Sequence, residues 1–428
     1  MKHSAPQVSR RRRFIRVLGV GSLAAALPLS GCSWVAGMPA SAIAAWQGPD
    51  KQDDPRLWAL AWAILAPNPH NRQPWLARLH GQDELELMID TGRLLPHTDP
   101  FSRQIMIGTG AMLGLLEIAA AQRGRRLEIE EFPEGMDEAA LDSRPVARIR
   151  FVATDRADAH TRELFAQVPH RHTYRGLYRA ADRLDPAFIA DLQREQAALQ
   201  PHGLASGVFE RGRDAGRFGE IDAIARAAWR IELSTPATML ESMQLLRIGA
   251  TEIDRHRDGI SLTDPFVVTL DALGLVDRDT APAPDSSLIK RQITDFDSAL
   301  DSTPAIYWLT SDGHGRRDQL AVGRAYLRAQ LAATARGLVM HPLSQALQEY
   351  AEVAGPYKAI HESLRGAIGR PEATVQMLCR IGAPAADAKA PSPSPRRGLA
   401  AHLVDERVPG MRGQQRANAS PPARSDRA

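Results

Sequence analysis

The chain has 428 residues, 44% of them hydrophobic and 24% charged, which is enough for two soluble domains with a substantial core. Its formal charge of +3 comes from the N-terminus: residues 1–31 carry Lys2, Arg10, Arg11, Arg12, Arg13 and Arg16 and no acid, and without them 47 basic residues face 50 acidic ones, about −3. That balance excludes a nucleic-acid partner, which wants a basic domain, and two cysteines, Cys32 and Cys379, exclude a disulfide framework.

The first residues read as an address. A basic stretch, Ser9 to Arg16, precedes an apolar run from Val17 to Leu29, the pattern of a secretory signal. Arg11-Arg12-Arg13-Phe14-Ile15-Arg16 resembles a twin-arginine export signal, whose partner is the machinery that exports proteins already folded. Leu29-Ser30-Gly31-Cys32 resembles a lipobox, which would make Cys32 a lipidated, membrane-anchoring first residue. A cut after Ala40-Ser41-Ala42 would instead leave a soluble periplasmic protein. Either way the expected location is periplasmic or otherwise extracytoplasmic.

After a linker, Asp54-Pro55 starts a helix through Leu65, with Asp54 as N-cap and proline in the first turn. Ala66 to Trp75 reads A-P-N-P-H-N-R-Q-P-W. Pro67, Pro69 and Pro74 exclude helix interior and central strand, so a rigid, extended polar loop is expected. Leu85 to Ile89 is a strand, Arg93 to Asp99 a loop, and Arg103 to Arg123 a long apolar helix closed by Gly124. Leu127 to Phe132 and Val146 to Val152 are strands. Further helices are expected over Pro186 to Leu199, Phe218 to Arg230, Leu240 to Arg257 and Leu320 to Arg336, with strands at Ala305 to Leu309 and Val375 to Ile381. Asp258 to Pro284, with scattered glycine and proline, is expected to be a long covering loop.

An internal repeat organises these elements. At one offset of 213 residues, Asp99 matches Asp312, Arg103 matches Arg316, Gly110 matches Gly323, Arg123-Gly124 matches Arg336-Gly337, and Ile118-Ala119-Ala120 matches Leu331-Ala332-Ala333. The expected organisation is a signal peptide over 1–31, a linker over 32–53, one α/β unit over 54–165 and a second over 166–404. The second carries a lid-like insertion at about 240–284, and a disordered tail covers 405–428. The proline-rich loop has no counterpart in the second half, and Arg171-His172-Thr173-Tyr174-Arg175 has none in the first. A symmetric dimer with two sites, fused and reduced to a monomer with one, would leave this pattern.

Three constellations carry candidate chemistry. Arg171, Thr173 and Arg175 supply two guanidiniums and a hydroxyl suited to phosphate, reinforced by free backbone donors if the segment opens a helix. Gly337 to Ser344 reads as a strand running into a proline-locked turn that could face a flat ring. Pro395-Arg396-Arg397 is another guanidinium pair. His170 and His172 lack a carboxylate or cysteine to complete a metal site, and no G-x-S-x-G, Walker A or strand-borne G-x-G-x-x-G is present.

Together these pieces resemble the nitroreductase family of FMN-binding proteins, and within it the twin-domain, Acg-like branch in which two units are fused. The family's A-P-x-x-x-N-x-Q-P-W loop is matched by Pro67, Asn71, Gln73, Pro74 and Trp75, with Asn68 where the branch usually has serine. R-x-S/T-x-R is matched by Arg171, Thr173 and Arg175, and G-L-x-x-x-P-L-S by Gly337 to Ser344. Gln376 to Gly382 and Pro395-Arg396-Arg397 resemble the branch's last strand and terminal arginines, and Arg257-Asp258-Gly259-Ile260 the segment after its lid helices.

The resemblance implies an α/β fold of the α+β nitroreductase type, two fused pseudo-symmetric units holding one FMN between them in a monomeric pseudo-dimer. It assigns Asn71 and Gln73 to the flavin ring, and Arg171, Thr173 and Arg175 to the phosphate and ribityl chain. Pro342, Leu343 and Ser344 would form the backbone approach to the ring, and Arg396 and Arg397 would add to the phosphate site. The implied chemistry is two-electron hydride transfer through flavin N5 between a small-molecule electron donor and acceptor. His70 and His341 are candidate proton or hydrogen-bond donors by position alone. Three readings stay open: an oxidoreductase, a flavin-binding or flavin-sequestering protein with little reductase activity, and a structural lipoprotein without cofactor.

Overall fold

The computed structural model describes residues 37–181, 183–197 and 203–404. The arginine-rich signal, Cys32 and the tail from Asp405 lie outside the described residues. After a short helix α1 (Ala40–Ile43), helix α2 (Pro55–Ala63) begins as its sequence dictates, Asp54 accepting from the Arg56 amide at 2.8 Å with Pro55 in the first turn. Strands β1 (Trp75–His80) and β2 (Glu84–Ile89) form a hairpin. Helix α3 (Arg103–Gln122) follows, its end turned by Gly124 at φ 62°. By length and composition α3 could cross a membrane, but its apolar side chains are buried in the protein's core. Strands β3 (Arg125–Glu131) and β4 (Ala147–Ala153) complete an antiparallel sheet of order β1-β2-β4-β3, and helix α4 (Ala159–Ala166) leads out of the unit.

The second unit repeats this plan. Helix α5 (Pro186–Ala197) precedes β5 (Ala205–Glu210). Then come helices α6 (Ala215–Ser234) and α7 (Pro236–Gln244), strand β6 (Leu246–Ile248), helix α8 (Gly249–His256), strand β7 (Ile260–Leu262), and helices α9 (Pro265–Ala272) and α10 (Ser287–Asp301). Strand β8 (Ala305–Ser311), long helix α11 (Arg316–Ala335), strand β9 (Val339–Pro342), helix α12 (Ala354–Ile368) and strand β10 (Thr374–Gly382) finish it. The sheet order β5-β8-β10-β9 is that of the first unit, strand for strand, with the long helix again between the second and third strands. The α/β class and the two pseudo-symmetric units are thus features of the fold.

The insertion is larger than its sequence suggested. Residues 211–304 all lie between the first two strands of the second sheet, where the first unit has a tight hairpin. The single helix expected over Leu240 to Arg257 is broken into α7, β6 and α8 around Gly249, which adopts φ 77°. The loop expected over Asp258 to Pro284 instead contains β7 and α9. Asp264 caps α9 by accepting from the Phe266 and Val267 amides, a Ser/Asp-Pro start signal of the kind that opens α2. Helices α4, α10 and α12 and strand β1 were not anticipated.

Helices α3 and α11 cross at the two glycines of the repeat. A Cβ on Gly110 would overlap the carbonyl oxygen of Leu320, and one on Gly323 that of Ile107, so the backbones touch. The repeat's arginines reach across in both directions. Arg103 donates to the carbonyls of Gln376 (2.7 Å) and Leu347 (2.8 Å), and Arg316 to those of Phe101 (2.6 Å) and Glu138 (3.0 Å). The segment that follows α4 and the C-terminal segment each add a bridge to a sheet edge. Thr173 bridges Met340 on β9, while Leu403 bridges Ala77 on β1 and Val404 donates to the Ala77 carbonyl at 3.0 Å.

Candidate functional site

The Ala66–Trp75 loop is rigid but not extended. Pro69–Asn71 make one 3-10 turn, and His70 (φ 47°), Asn71 (φ 52°) and Gln73 (φ 48°) are all left-handed. Three such residues within four positions, interrupted only by right-handed Arg72, store roughly 1–3 kcal/mol of strain each. The proline count could not reveal this, because proline fixes only its own φ and biases only its predecessor. Asn68 closes the loop: its Oδ1 accepts from the Gln73 amide at 2.8 Å and its Nδ2 donates to the Ala66 carbonyl at 3.1 Å.

The amides expected to face a ring are engaged with protein. Gln73 is 0% exposed, donates to the Arg257 carbonyl (2.8 Å) and accepts from the Arg397 amide (2.9 Å). Asn71 donates to the Pro395 carbonyl (3.0 Å) and accepts from Arg396 Nη1 (2.8 Å), while its own carbonyl accepts from the Gly259 amide (3.3 Å). Asn71, Gln73, Arg396 and Arg397 therefore form a lock between the loop, the C-terminal segment and the insertion. Gln73, fully buried, has no side-chain surface left for a ligand, whereas Asn71 is only half-buried.

Arg171 and Arg396 converge on a single acceptor. Both donate to the Leu65 carbonyl just beyond α2, at 2.8 and 3.0 Å, and both guanidiniums lie against the Trp46 ring, at 5.5 and 5.0 Å from its centre. Each arginine is only 3% exposed, and the Nε of each is buried without a partner. Burial lowers Arg171 to about 10; burial and the charge of Arg171 lower Arg396 to about 9. No carboxylate figures among the groups acting on either. Two buried like charges without a counter-ion are costly unless an anion completes the arrangement.

Arg171–Arg175 does not open a helix. It runs alongside β9, with the Tyr174 amide donating to the Met340 carbonyl at 3.1 Å. This alignment carries Arg175 to the junction between the units, where its guanidinium makes no hydrogen bond or ion pair among the described residues. Arg175 is exposed, yet protein surrounds it closely enough for burial to lower its pKa, as in a side chain standing in a cleft. His70, from the loop, and His341, from β9, both feel its charge. Burial, then Arg175 and Arg72, lower His70 to about 4; burial, then Arg175 and Arg380, hold His341 well below 6.5. Both imidazoles are therefore neutral.

The rest of the wall is also electropositive. Buried Asp258 pairs with Arg93 (2.8 Å), Arg247 (2.9 Å) and Arg72 (3.7 Å), and Asp90 also pairs with Arg93 (3.3 Å), so two carboxylates face three guanidiniums. Arg397, held by the Gln73 and Ala401 carbonyls, is lowered to about 10 by burial and the charge of Arg93. The Thr173 and Ser344 hydroxyls have no partner among the described residues. Pro342 pairs with Cys379 across the sheet and Leu343 buries its side chain in the core, so this turn can offer a ligand backbone and the Ser344 hydroxyl. Cys379 is buried with its thiol pushed far above the ordinary range, so it is no nucleophile.

Trp46, Tyr326 and Arg380 belong to this region and were not singled out from sequence. Arg380 alone carried a signal, being the one charged residue in its strand. A separate hollow of about 370 Å³, lined by His314, Tyr357, His361 and Arg365, lies beside Thr374 at the other end of β10.

No family model matches the chain. It is 26% identical over 342 residues to the Mycobacterium tuberculosis protein named "Putative NAD(P)H nitroreductase Rv3131", covering 79% of this chain and 88% of that one. To "Putative NAD(P)H nitroreductase acg" of the same organism it is 35% identical over 105 residues, 24% of this chain and 31% of the relative. Among solved structures, a nitroreductase from Anabaena variabilis is 10% identical with a TM-score of 0.41, covering 80% of this chain and 91% of that chain. The FMN-dependent nitroreductase NfnB from Mycobacterium smegmatis, solved with NADPH, is 15% identical with a TM-score of 0.33, covering 56% and 96%. The resemblance carried by the motifs thus runs along most of the chain.

Proposed function

We propose, from this similarity to nitroreductases of the Acg kind, that the chain is an exported oxidoreductase that binds one FMN in the cleft between its two units. The observation that carries the reading is the group of uncompensated cations. Arg171 and Arg396 are buried without a counter-charge, and Arg175, four residues on from Arg171, has no ion pair among the described residues. A phosphate dianion suits such a set, since guanidinium forks donate to its oxygens and Thr173 has a free hydroxyl within the same segment. Bound FMN would supply two-electron hydride transfer through N5, between a small-molecule donor such as NAD(P)H and an acceptor of unknown identity.

The protein's own part is binding, orientation and shielding. The left-handed loop offers backbone to a flat ring, and Asn68 and the Asn71–Arg396 contact keep it from relaxing. The insertion clasps the loop through the Arg257 carbonyl and the Gly259 amide, which supports a role in excluding water. That clasp also favours a second reading, a flavin-binding or flavin-sequestering protein whose covered cleft admits few substrates. The twin-arginine-like signal and Cys32 support export, with lipid anchoring outside the cytoplasm.

The visible spectrum of the purified protein after FMN loading tests the main proposal. Flavin absorption retained through gel filtration is expected, and a colourless protein overturns it. Turnover of NAD(P)H with a nitroaromatic or quinone then supports the enzyme, whereas bound flavin with no turnover supports the sequestering protein.

A further inference from the structure

Arg380 is the one guanidinium of this region that touches an imidazole, and the contact fixes more than position. Its side chain is fully buried on β10 and stacks on Tyr178, 4.1 Å from the ring centre. Nε donates to Thr303 Oγ1 at 2.7 Å, and Nη2 donates to the Gly176 carbonyl at 3.0 Å and to Ser302 Oγ at 3.5 Å. Nη1 faces the Arg175 carbonyl at 3.5 Å and His341 Nδ1 at 3.2 Å. A guanidinium has donors only, so Nδ1 of His341 must accept. In a neutral ring the single proton then sits on Nε2. That nitrogen has no partner among the described residues and is not fully sealed from solvent.

His70 provides the contrast. It flanks the same guanidinium, Arg175, but its Nδ1 is buried without a partner, so no protein group selects its tautomer. Of the two imidazoles in the cleft, one is locked and the other is not. Arg380 also holds the Arg175–Gly176 backbone beside β9, so a single buried side chain sets both the cleft's free cation and its fixed donor.

We propose that Arg380 is a positioning residue that locks His341 in the Nε2–H tautomer, making it a fixed hydrogen-bond donor to a carbonyl oxygen or unprotonated ring nitrogen of the planar ligand. The ligand's class rests on the flavin reading; the tautomer does not. Because the donor is neutral, it contributes without proton transfer and without reordering, as a preorganised site requires.

The test is nitrogen-15 NMR of histidine-labelled full-length protein near neutral pH. The expected result is that His341 carries its proton on Nε2 and none on Nδ1, and that this proton's resonance shifts on adding FMN, or only when 4-nitrobenzoate follows. The first shift places the acceptor on the cofactor and the second on the substrate. A proton on Nδ1, or no shift with either probe, overturns the proposal. R380M, which has no donor, should populate the Nδ1–H form, while R380K, which keeps one, should not. H341Q retains an N–H donor and should hold FMN within about threefold of the parent, whereas H341L should weaken it about tenfold, as for one lost hydrogen bond. Equal losses in both variants would also sink the idea. If FMN does not bind at all, the flavin reading falls while the tautomer in the free protein still decides the role of Arg380.

Discussion

Arg175 shows how differently residues of one motif can behave. Arg171 and Arg175 are four positions apart, yet the first has its fork on the Leu65 carbonyl and Gln330, and the second has no partner among the described residues. Replacing Arg175 by glutamine should therefore cost little stability but weaken FMN binding roughly 10- to 100-fold, the value of a charge-assisted hydrogen bond at about 1.5–3 kcal/mol. Titrating flavin fluorescence against R175Q, with thermal unfolding alongside, checks both halves of the expectation. Unchanged affinity would remove Arg175 from the site. The motif was legible as a set of residue types suited to phosphate, but which guanidinium stays free was not. That depends on the carbonyls left unsatisfied at the end of α2, more than a hundred residues earlier in the chain.

At the scale of elements, the crossing of α3 and α11 is the most demanding contact. Glycine inside a helix costs about 1 kcal/mol relative to alanine, so Gly110 and Gly323 persist where no Cβ fits. Gly110→Ala should destabilise by more than about 3 kcal/mol or prevent folding, because a backbone carbonyl cannot swing aside as a side chain can. Gly219→Ala in α6, where a Cβ meets nothing, should instead stabilise by up to about 1 kcal/mol. Urea unfolding of the pair distinguishes a packing requirement from simple propensity. The repeat made these glycines visible, since each recurs at the same offset. Helix starts at Asp54 and ends at Gly124 and Gly337 were readable because capping is local. The break at Leu246–Ile248 was not, because pairing with β7 fixes it and propensity there is overridden.

For the whole molecule, the insertion is tied to both units around one buried acid. Glu232 on α6 lies against Gln348 and Gln345 of the second unit, while Glu241 on α7 accepts from the Thr98 amide (2.9 Å) and hydroxyl (2.6 Å) in the first. Burial raises Glu232 to about 7, although the glutamines pull it partly back, and its Oε2 and Gln348 Oε1 are both unpaired. Its folded pKa thus lies above the ordinary 4.5, so between those values the folded state holds a proton that the unfolded state has lost. This contribution is fully present below the unfolded value and declines as pH rises through 7, by roughly 3 kcal/mol. Glu232→Gln, a neutral isostere, should abolish the decline, so that the variant gains on the parent as pH rises. Equal changes in the urea-unfolding free energy of parent and variant between mildly acidic and mildly alkaline pH would contradict it.

By itself the sequence determined the duplication, the placement of the long helices and the residue types of the cleft. Hydrophobic period, capping residues and repeat offsets are written within a few turns of chain. Only the tertiary structure decided that Asn71 and Gln73 bind the C-terminal segment, that Arg175 is free and that Arg380 governs His341. Those outcomes turn on which unsatisfied donor meets which unsatisfied acceptor across the two units, a matter of three-dimensional pairing with no local trace.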